Sequence, residues 1–431
     1  MLSDARFDVV VAGGGTAGIA AALSAARLGA RTLLVEREEL LGGNASNALV
    51  HTFCGLFLPA DDGTPTYAHP GLPQRFARGL AAAGGASVPE RAGKVVVLPI
   101  FPSALAGYAA DLCDRTRNLA CWRRSTVVAA ALASQGGACS GIEIEREAAL
   151  RTVECRVLVD TTGDGTVAAL GGAEFAIAPP DELQCSSFIF RVGGVDVGEV
   201  RGFARLKVSV AAAGAVRSGE LPPGCESVLI RPGQVDGEVY VTLTLPRPDE
   251  RAFDPLDPRC LAELAALGRA RAETLLEYLR ATRPGFAAAH VIAWPRRVGV
   301  RETRRVAGHA VMSATDVVAG RRRADEVALS TWPIELWNDH RRAHFEYPAG
   351  PSSIPLGALV SRSHPGLGMA GRCMSATHEA LGALRVIGTA MATGEAIGVT
   401  AALAADHGGG LMHVAPERVR ATILALAERE S

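Results

Sequence analysis

The chain has almost no net charge, no close pair of cysteines and no long unbroken apolar run. Each absence removes a class of function. Lysine and arginine (44) nearly balance aspartate and glutamate (45), leaving a formal charge of −1. That gives no basic surplus for holding nucleic acid or an anionic membrane. The 9 cysteines form no C-x-x-C pair, which argues against zinc ribbons, iron–sulfur ligation and a thioredoxin-like dithiol. An odd number without close pairs fits a reducing cytoplasm with most thiols buried. No stretch of about eighteen unbroken apolar residues occurs, so no transmembrane helix is expected, and no secretory signal is read at the start. What is present is a chain of 431 residues, 48% of them hydrophobic. That suits a globular enzyme with ample core, in one large or two intertwined domains.

The most informative stretch runs from Asp8 to Glu38, DVVVAGGGTAGIAAALSAARLGARTLLVERE. Asp8 to Ala12 reads as a buried strand, Ile19 to Leu28 as a helix ended by Gly29, and Thr32 to Val35 as a second strand. Gly13, Gly15 and Gly18 lie between the first two at G-x-G-x-x-G spacing. Gly13 permits a tight turn, Gly15 lets backbone approach a pyrophosphate, and Gly18 lets helix and strand pack closely. The helix N-terminus then offers free N–H groups to phosphate. Glu36, about twenty residues on, is placed to accept from ribose hydroxyls. The glycines alone are weak evidence; strand, turn, helix, strand and acid together point to dinucleotide binding.

Further along, Leu40 to Phe57 opens with a polar glycine turn. Phe76 to Gly85 and Phe101 to Leu119 read as helices. Ser125 to Leu132, a turn at Gly136-Gly137, Gly141 to Glu145 and Arg151 to Val159 read as a β meander. The last strand ends at Asp160 and enters a second glycine turn, VDTTGDGTVAALGGA. From Pro179 the pattern changes to antiparallel strands at Ser186 to Val192 and Val239 to Leu245, with an amphipathic helix at Leu261 to Leu279. Arg321 to Arg323 reads as a solvated loop. Near the end, Leu367 to His407 holds a short strand, a glycine turn and a long small-residue helix. Glycines at 382, 388, 394 and 398 suit such helices only if they are buried against other backbone or a ligand.

Four ordered segments make the chain resemble the FAD-dependent oxidoreductases of the glutathione-reductase-like superfamily, in particular members with an AGR-x-x-SATHEA-like signature. They are GGGTAG through VERE, LGGNAS, VDTTGDGTVAALGG, and GVRETRRVAG with AGRCMSATHEALGALRV. The resemblance implies an α/β fold: a discontinuous Rossmann-like FAD-binding domain (1–178, 292–318 and 352–410), an inserted α+β substrate domain with antiparallel sheet (179–291 and 319–351), and a C-terminal helix (411–431). It implies FAD as cofactor. Gly13, Gly15, Thr16, Ala17, Gly18 and Glu36 would hold its ADP half. Arg37, Gly43 and Asn44 would line the adenosine and pyrophosphate, with Val127 at the adenine. Thr162, Gly163 and Asp164 would form the second nucleotide turn. Gly371 and Arg372 would form the C-terminal turn, although relatives often have an acid where Arg372 stands. Arg385 and Val386 would begin a helix facing the flavin's pyrimidine edge.

The chemistry candidates each have a duller reading. Arg297 and Arg301 would clamp a substrate carboxylate if both point into the cleft, or else belong to an ion-pair network at the domain junction. His51 is a base, a covalent flavin link or an ordinary packed histidine. Cys54 is a redox partner or, more simply, a small buried residue. His378, within SATHEA, touches flavin or substrate, or sits in a polar cluster at a helix start. His340 and His344 would share a helix face, but lack a third ligand for a metal, and no metal is expected.

These readings converge on a cytoplasmic FAD-dependent oxidoreductase, a dehydrogenase or oxidase, that passes a hydride from a small organic substrate to flavin N5. Nucleic acid and membrane are not expected partners; the oligomeric state is open, with a homodimer compatible. The rivals are a flavin monooxygenase or halogenase-like enzyme using NAD(P)H and oxygen, a non-catalytic electron-transfer subunit, and an NAD-dependent dehydrogenase sharing the fingerprint.

Overall fold

The computed structural model describes residues 5–59, 64–132, 140–248, 253–406 and 410–429. Its main sheet grows from the strand Ala5–Ala12. Side chains alternate along a strand. Val9 and Val11 therefore enter the larger core on one face, and Val10 and Ala12 enter a second core on the other. Both faces are covered, so the strand reads as an unbroken apolar run.

Thr32–Val35 and Ala149–Asp160 flank this strand in parallel, and Leu119–Trp122 forms the parallel edge. The helix expected to reach Leu119 stops at Arg115 instead. Asn118 has φ +62°, a left-handed turn that asparagine tolerates, and the chain re-enters the sheet. Ser125–Ala131, Ser140–Arg146 and Ala149–Asp160 form the antiparallel meander; the Gly136-Gly137 turn lies outside the described residues. Leu367–Met369 returns from far along the chain to pair in parallel beside Leu158 to Asp160. It carries Gly371 to the same sheet edge as the fingerprint turn.

The fingerprint helix Thr16–Arg27 packs on the long helix Ile387–Ala405. An added Cβ on Gly394 would overlap the Ala17 carbonyl, one on Gly398 the Ala21 carbonyl, and one on Gly388 the Gly55 carbonyl. Gly382, in the helix His378–Leu384, meets the backbone of Glu335 in the same way. The glycines are thus the contact surface of these helices. Ile387–Ala405 is also long and apolar enough to cross a membrane, but 94% of it is buried inside the protein.

A second layer stands over the carboxyl edge of the main sheet. Four antiparallel strands, Leu229–Pro232, Val239–Thr244, Ser187–Gly193 and His290–Ala293, form it in that order. Phe188, Phe190, Val241, Leu243 and Ile230 face the helices Ala204–Ser218 and Pro258–Thr282 and form a separate core. The helix Ala204–Ser218 has no sequence-level expectation. It buries Val208, Ala212 and Ala215 yet exposes Leu206 and Val210, so it lacks a clean stripe. Residues 319–351, expected with this layer, contribute Val327, Ala328, Ile334 and Leu336 to the larger core, as the last helix contributes Val419 and Leu426. Arg321, Arg322 and Arg323 pair with Asp316, Glu326 and Asp325. The architecture is α/β: a Rossmann-like sheet with a β meander, capped by an antiparallel layer.

Candidate active site

A cavity of about 660 Å³ lies between the main sheet edge and the antiparallel layer. At one end, four glycine turns meet. Gly13 (φ +103°) turns the chain off the first strand, and Gly15 precedes the first turn of the fingerprint helix, with no side chain capping it. The first-turn amides are left for a ligand. Gly43 packs so closely on Gly15 that a Cβ would lie 2.9 Å from the Gly15 Cα. Gly163 and Gly371 complete the cradle, with Thr16, Ala17, Asn44, Val127 and Thr162 in the same wall. Asn44 is fixed by its Nδ2 donating to the Val300 carbonyl at 3.0 Å.

One residue of the fingerprint and one before the second glycine turn support this end from outside the cavity wall. Gly18 fits against the Gly13 carbonyl with no room for a Cβ, so its role is packing of helix on strand. Asp160, expected only as the end of a strand, is buried. It accepts from the Thr162 amide and hydroxyl at 3.0 and 2.7 Å and from the Ala168 amide at 3.0 Å, and so shapes the second turn.

The charges at this end are organised. Glu36 is buried and accepts from the Gly14 amide at 2.5 Å and the Glu38 amide at 2.8 Å. Burial pushes its carboxyl up, against the pull of those amides. Asp164 receives Arg372 at 2.8 Å and Arg37 at 3.7 Å. Burial opposes its ionisation, but Arg372, Arg37 and Arg297 outweigh that and hold it below the usual carboxylate range. Asp164 itself does not line the cavity; it positions arginines that do. The Nε of Arg297 is buried with no hydrogen-bond partner among the described residues. Three arginines against two carboxylates, an orphaned guanidinium N–H and a glycine cradle fit the two negative charges of a dinucleotide pyrophosphate.

The other end has a different chemistry. Its roof comes from alternate residues of the antiparallel layer: Ser187 and Ile189, Thr242, Leu229 and Arg231. Its walls include Val95, Val97, Trp332, Trp337, Phe345 and Tyr347. Arg301 donates to the Cys185 carbonyl and, at 3.3 Å, to Thr244 Oγ1, and lies 4.8 Å over the Trp337 ring. Arg385 ends one helix and Val386 caps the next. Arg385 donates to the Glu335 carbonyl at 3.0 Å, while its Nε has no partner among the described residues. Glu335 accepts from Trp337 Nε1 at 2.7 Å and Trp332 Nε1 at 3.0 Å. Burial works against its charge, but Arg385, the indoles and Arg301 outweigh it and keep the carboxylate ionised.

Several expectations change here. Arg297 and Arg301 do not form one clamp. Arg297 belongs to the Glu36, Arg37, Asp164 and Arg372 group, and Arg301 to the Arg385 and Glu335 group. The segment between them is irregular rather than helical, so four residues carry the two side chains to opposite ends. His51 lines the cavity, stacked on Tyr240 with centroids 4.6 Å apart and 8° between planes. Its Nδ1 lies 3.1 Å from the Leu49 carbonyl, an acceptor, so Nδ1 carries the proton. Burial and Arg231 lower its pKa to about 3, so it is a neutral ring. Cys54 lines the same end, and burial together with Glu335 drives its thiol pKa far up. His378 is outside the cavity wall; its Nδ1 is 2.9 Å from Glu302, a fully buried carboxylate that also pairs with Arg305. His340 and His344 lie on a β hairpin, Ile334–Asp339 with Arg342–Glu346, not on a helix. No metal-binding cluster occurs among the described residues.

Glu335, Arg231 and the two tryptophans are absent from the sequence-level candidates. One signal was available: the chain has 4 tryptophans, and two of them bracket the acid in WPIELW.

Residues 8–423 match the model of a family described as FAD dependent oxidoreductase. No curated protein matches the chain in sequence. Among solved structures, the chain is similar to a geranylgeranyl bacteriochlorophyll reductase-like protein from Thermoplasma acidophilum, at 14% identity over 99% of this chain and 84% of that one, with a TM-score of 0.48. It is also similar to p-nitrophenol 4-monooxygenase from Pseudomonas putida DLL-E4, at 12% identity over 98% and 90%, with a TM-score of 0.49.

Proposed function

The chain belongs to the FAD dependent oxidoreductase family, and from that premise we propose that it is a dehydrogenase or oxidase that removes a hydride from a small organic substrate. The enzyme is a flavoprotein, and FAD is its cofactor. When bound, FAD supplies the two-electron acceptor that the protein's own side chains lack. The observation that carries the reading is the division of one cavity into a glycine-and-arginine end and an aromatic end.

The division of labour follows from the residues. Gly13, Gly15, Gly43, Gly163 and Gly371 give backbone access for the dinucleotide, and Arg37, Arg297 and Arg372 meet its phosphates. Glu36 keeps lone pairs free beyond its two amide bonds for ribose hydroxyls. At the far end, the buried rings of Trp332 and Trp337 keep water from one side of the substrate's reacting carbon, and Phe345 and Tyr347 complete the aromatic wall. Arg301 and Arg385 orient it. His51 offers an unprotonated Nε2 as a hydrogen-bond acceptor and does not store the proton, because burial keeps its ring neutral. The substrate would lose two electrons and one proton from a C–H as a hydride, for which FAD would be the acceptor, and a second proton from the adjacent O–H or N–H, which passes to solvent. Oxygen or another electron acceptor completes the cycle. No disulfide is seen among the described cysteines, in keeping with the cytoplasmic location proposed for the enzyme.

Anaerobic flavin bleaching, screened over hydroxy acids, amino acids, amines and sugars, tests this reading. Bleaching by one class without NAD(P)H supports it. Reduction by NAD(P)H alone, followed by oxygen uptake only with an aromatic co-substrate, would replace it with a monooxygenase.

A further inference from the structure

We propose that the substrate is a planar carboxylic acid, held with its carboxylate on Arg301 and its ring or conjugated system between the aromatic walls. This rests on the dehydrogenase or oxidase reading and names the substrate class for the same site.

The first support is charge. Arg301 and Arg385 both face the carboxylate of Glu335, and the other carboxylate near Arg385, Glu302, is already paired with Arg305. Both oxygens of the Glu335 carboxylate already accept indole N–H groups. Arg231, the other arginine at this end, is matched by Glu90. One positive charge is therefore left over inside a largely apolar enclosure, where an unpaired ion is costly. A bound anion compensates it. The nucleotide's phosphates do not, because they meet Arg37, Arg297 and Arg372 at the opposite end.

The second support is donor geometry. A guanidinium has five N–H donors. The described protein acceptors of Arg301 are the Cys185 carbonyl and Thr244 Oγ1, both on the roof side. The remaining donors belong to a side chain that lines the cavity. The guanidinium carbon lies 4.8 Å from the centre of the Trp337 ring, and with the two protein acceptors this restrains the fork, which suits a carboxylate approached by two parallel N–H groups.

The third support is the wall. Aromatic residues make up only 5% of the chain. Yet Trp332, Trp337, Phe345 and Tyr347 all line this end, and all come from one short stretch. Flat π faces of that kind favour offset or edge contact with a planar substrate.

Benzoate, cyclohexanecarboxylate and benzamide provide the test, each titrated into the FAD-loaded protein by calorimetry and by flavin difference spectrum. Benzoate is expected to bind at least about 30-fold more tightly than benzamide, with cyclohexanecarboxylate between them. Arg301→Gln is expected to weaken benzoate roughly 50-fold with benzamide unchanged and FAD retained. Glu335→Gln, which removes the competing negative charge, should tighten benzoate several-fold, a gain that misfolding does not produce. Equal binding of benzoate and benzamide would overturn the proposal. So would an Arg301→Gln protein whose flavin reduction potential shifts while its benzoate affinity stays the same, since that would assign Arg301 to the cofactor. A protein that takes up no FAD overturns the parent reading instead, and the calorimetric series on the flavin-free protein still reads Arg301.

Discussion

Gly394, in the long helix near the C-terminus, lies directly against the carbonyl of Ala17 in the fingerprint helix, with no space for a β-carbon between them. Two segments almost four hundred residues apart are locked face to face by that contact. An alanine at 394 gains roughly 1 kcal/mol of helix propensity. It must also push two buried backbones apart, an overpacking cost of about 1–3 kcal/mol or more. Gly394→Ala is expected to lower the thermal midpoint and weaken FAD retention together, because Ala17 lines the cofactor end. Gly107, on the exposed side of the helix Pro102–Arg115, meets nothing within 4 Å of an added Cβ. Gly107→Ala is expected to raise stability by about 0.5–1 kcal/mol. Equal effects at the two sites would contradict the packing argument.

Arg297 makes a second prediction. Its orphaned Nε and its company of Arg37 and Arg372 assign it to phosphate rather than substrate. Arg297→Gln should raise the FAD dissociation constant roughly 30-fold, as expected for loss of one charge-assisted contact. Benzoate affinity in the FAD-saturated variant should stay within about twofold. Arg297→Lys should restore only part of the loss, since a point charge does not reproduce the planar fork. Flavin fluorescence on dilution reads the first quantity, and calorimetry reads the second.

The sequence made the cofactor end legible because its chemistry is local. A strand, a glycine turn and a helix start are adjacent residues, and glycine spacing records where backbone must approach a ligand. The helix glycines were legible for the same reason: Gly388, Gly394 and Gly398 are costly unless something sits against them. The reaction end was not legible, because its members arrive from separate segments. Arg301, Glu335 and Arg385 are brought together by tertiary packing, and no spacing in the chain encodes it. His340 and His344 suggested a helical face, yet Asp339 and Arg342 close a hairpin there. Arg297 and Arg301 are four residues apart on irregular backbone, which sends them to opposite ends.

Cys54 tests the electrostatics of the reaction end without knowledge of the substrate. Burial and the Glu335 charge raise its thiol pKa, and only the thiolate alkylates. Iodoacetamide at pH 8 should label Cys54 at least roughly 100-fold more slowly than free cysteine, read by peptide mass spectrometry. Glu335→Gln removes one of the two causes and should speed labelling several-fold. Rapid labelling in the unaltered protein would mean an accessible thiolate, and would reopen a redox role for Cys54.

Two buried histidines weaken the fold in acid. His51 and His69 have folded pKa values of about 3 and 4, both lowered first by burial, against an ordinary 6.5. The folded protein keeps both rings neutral, whereas the unfolded chain protonates both below pH 6.5. Their contribution is therefore fully present above 6.5 and is lost as pH falls toward 4 and then 3. At pH 4.5, two units below the unfolded value, each site costs roughly 2–3 kcal/mol of stability. His69 lies outside the cavity wall and has no partner for Nε2 among the described residues, so it can be replaced without touching the site. His69→Gln should flatten the pH dependence of the urea midpoint between pH 6 and 4.5, reducing the slope by about 1.4 kcal/mol per pH unit. Near pH 7.5 the two proteins should differ only by the local cost of the substitution. An unchanged slope would show that His69 already takes up its proton in the folded state.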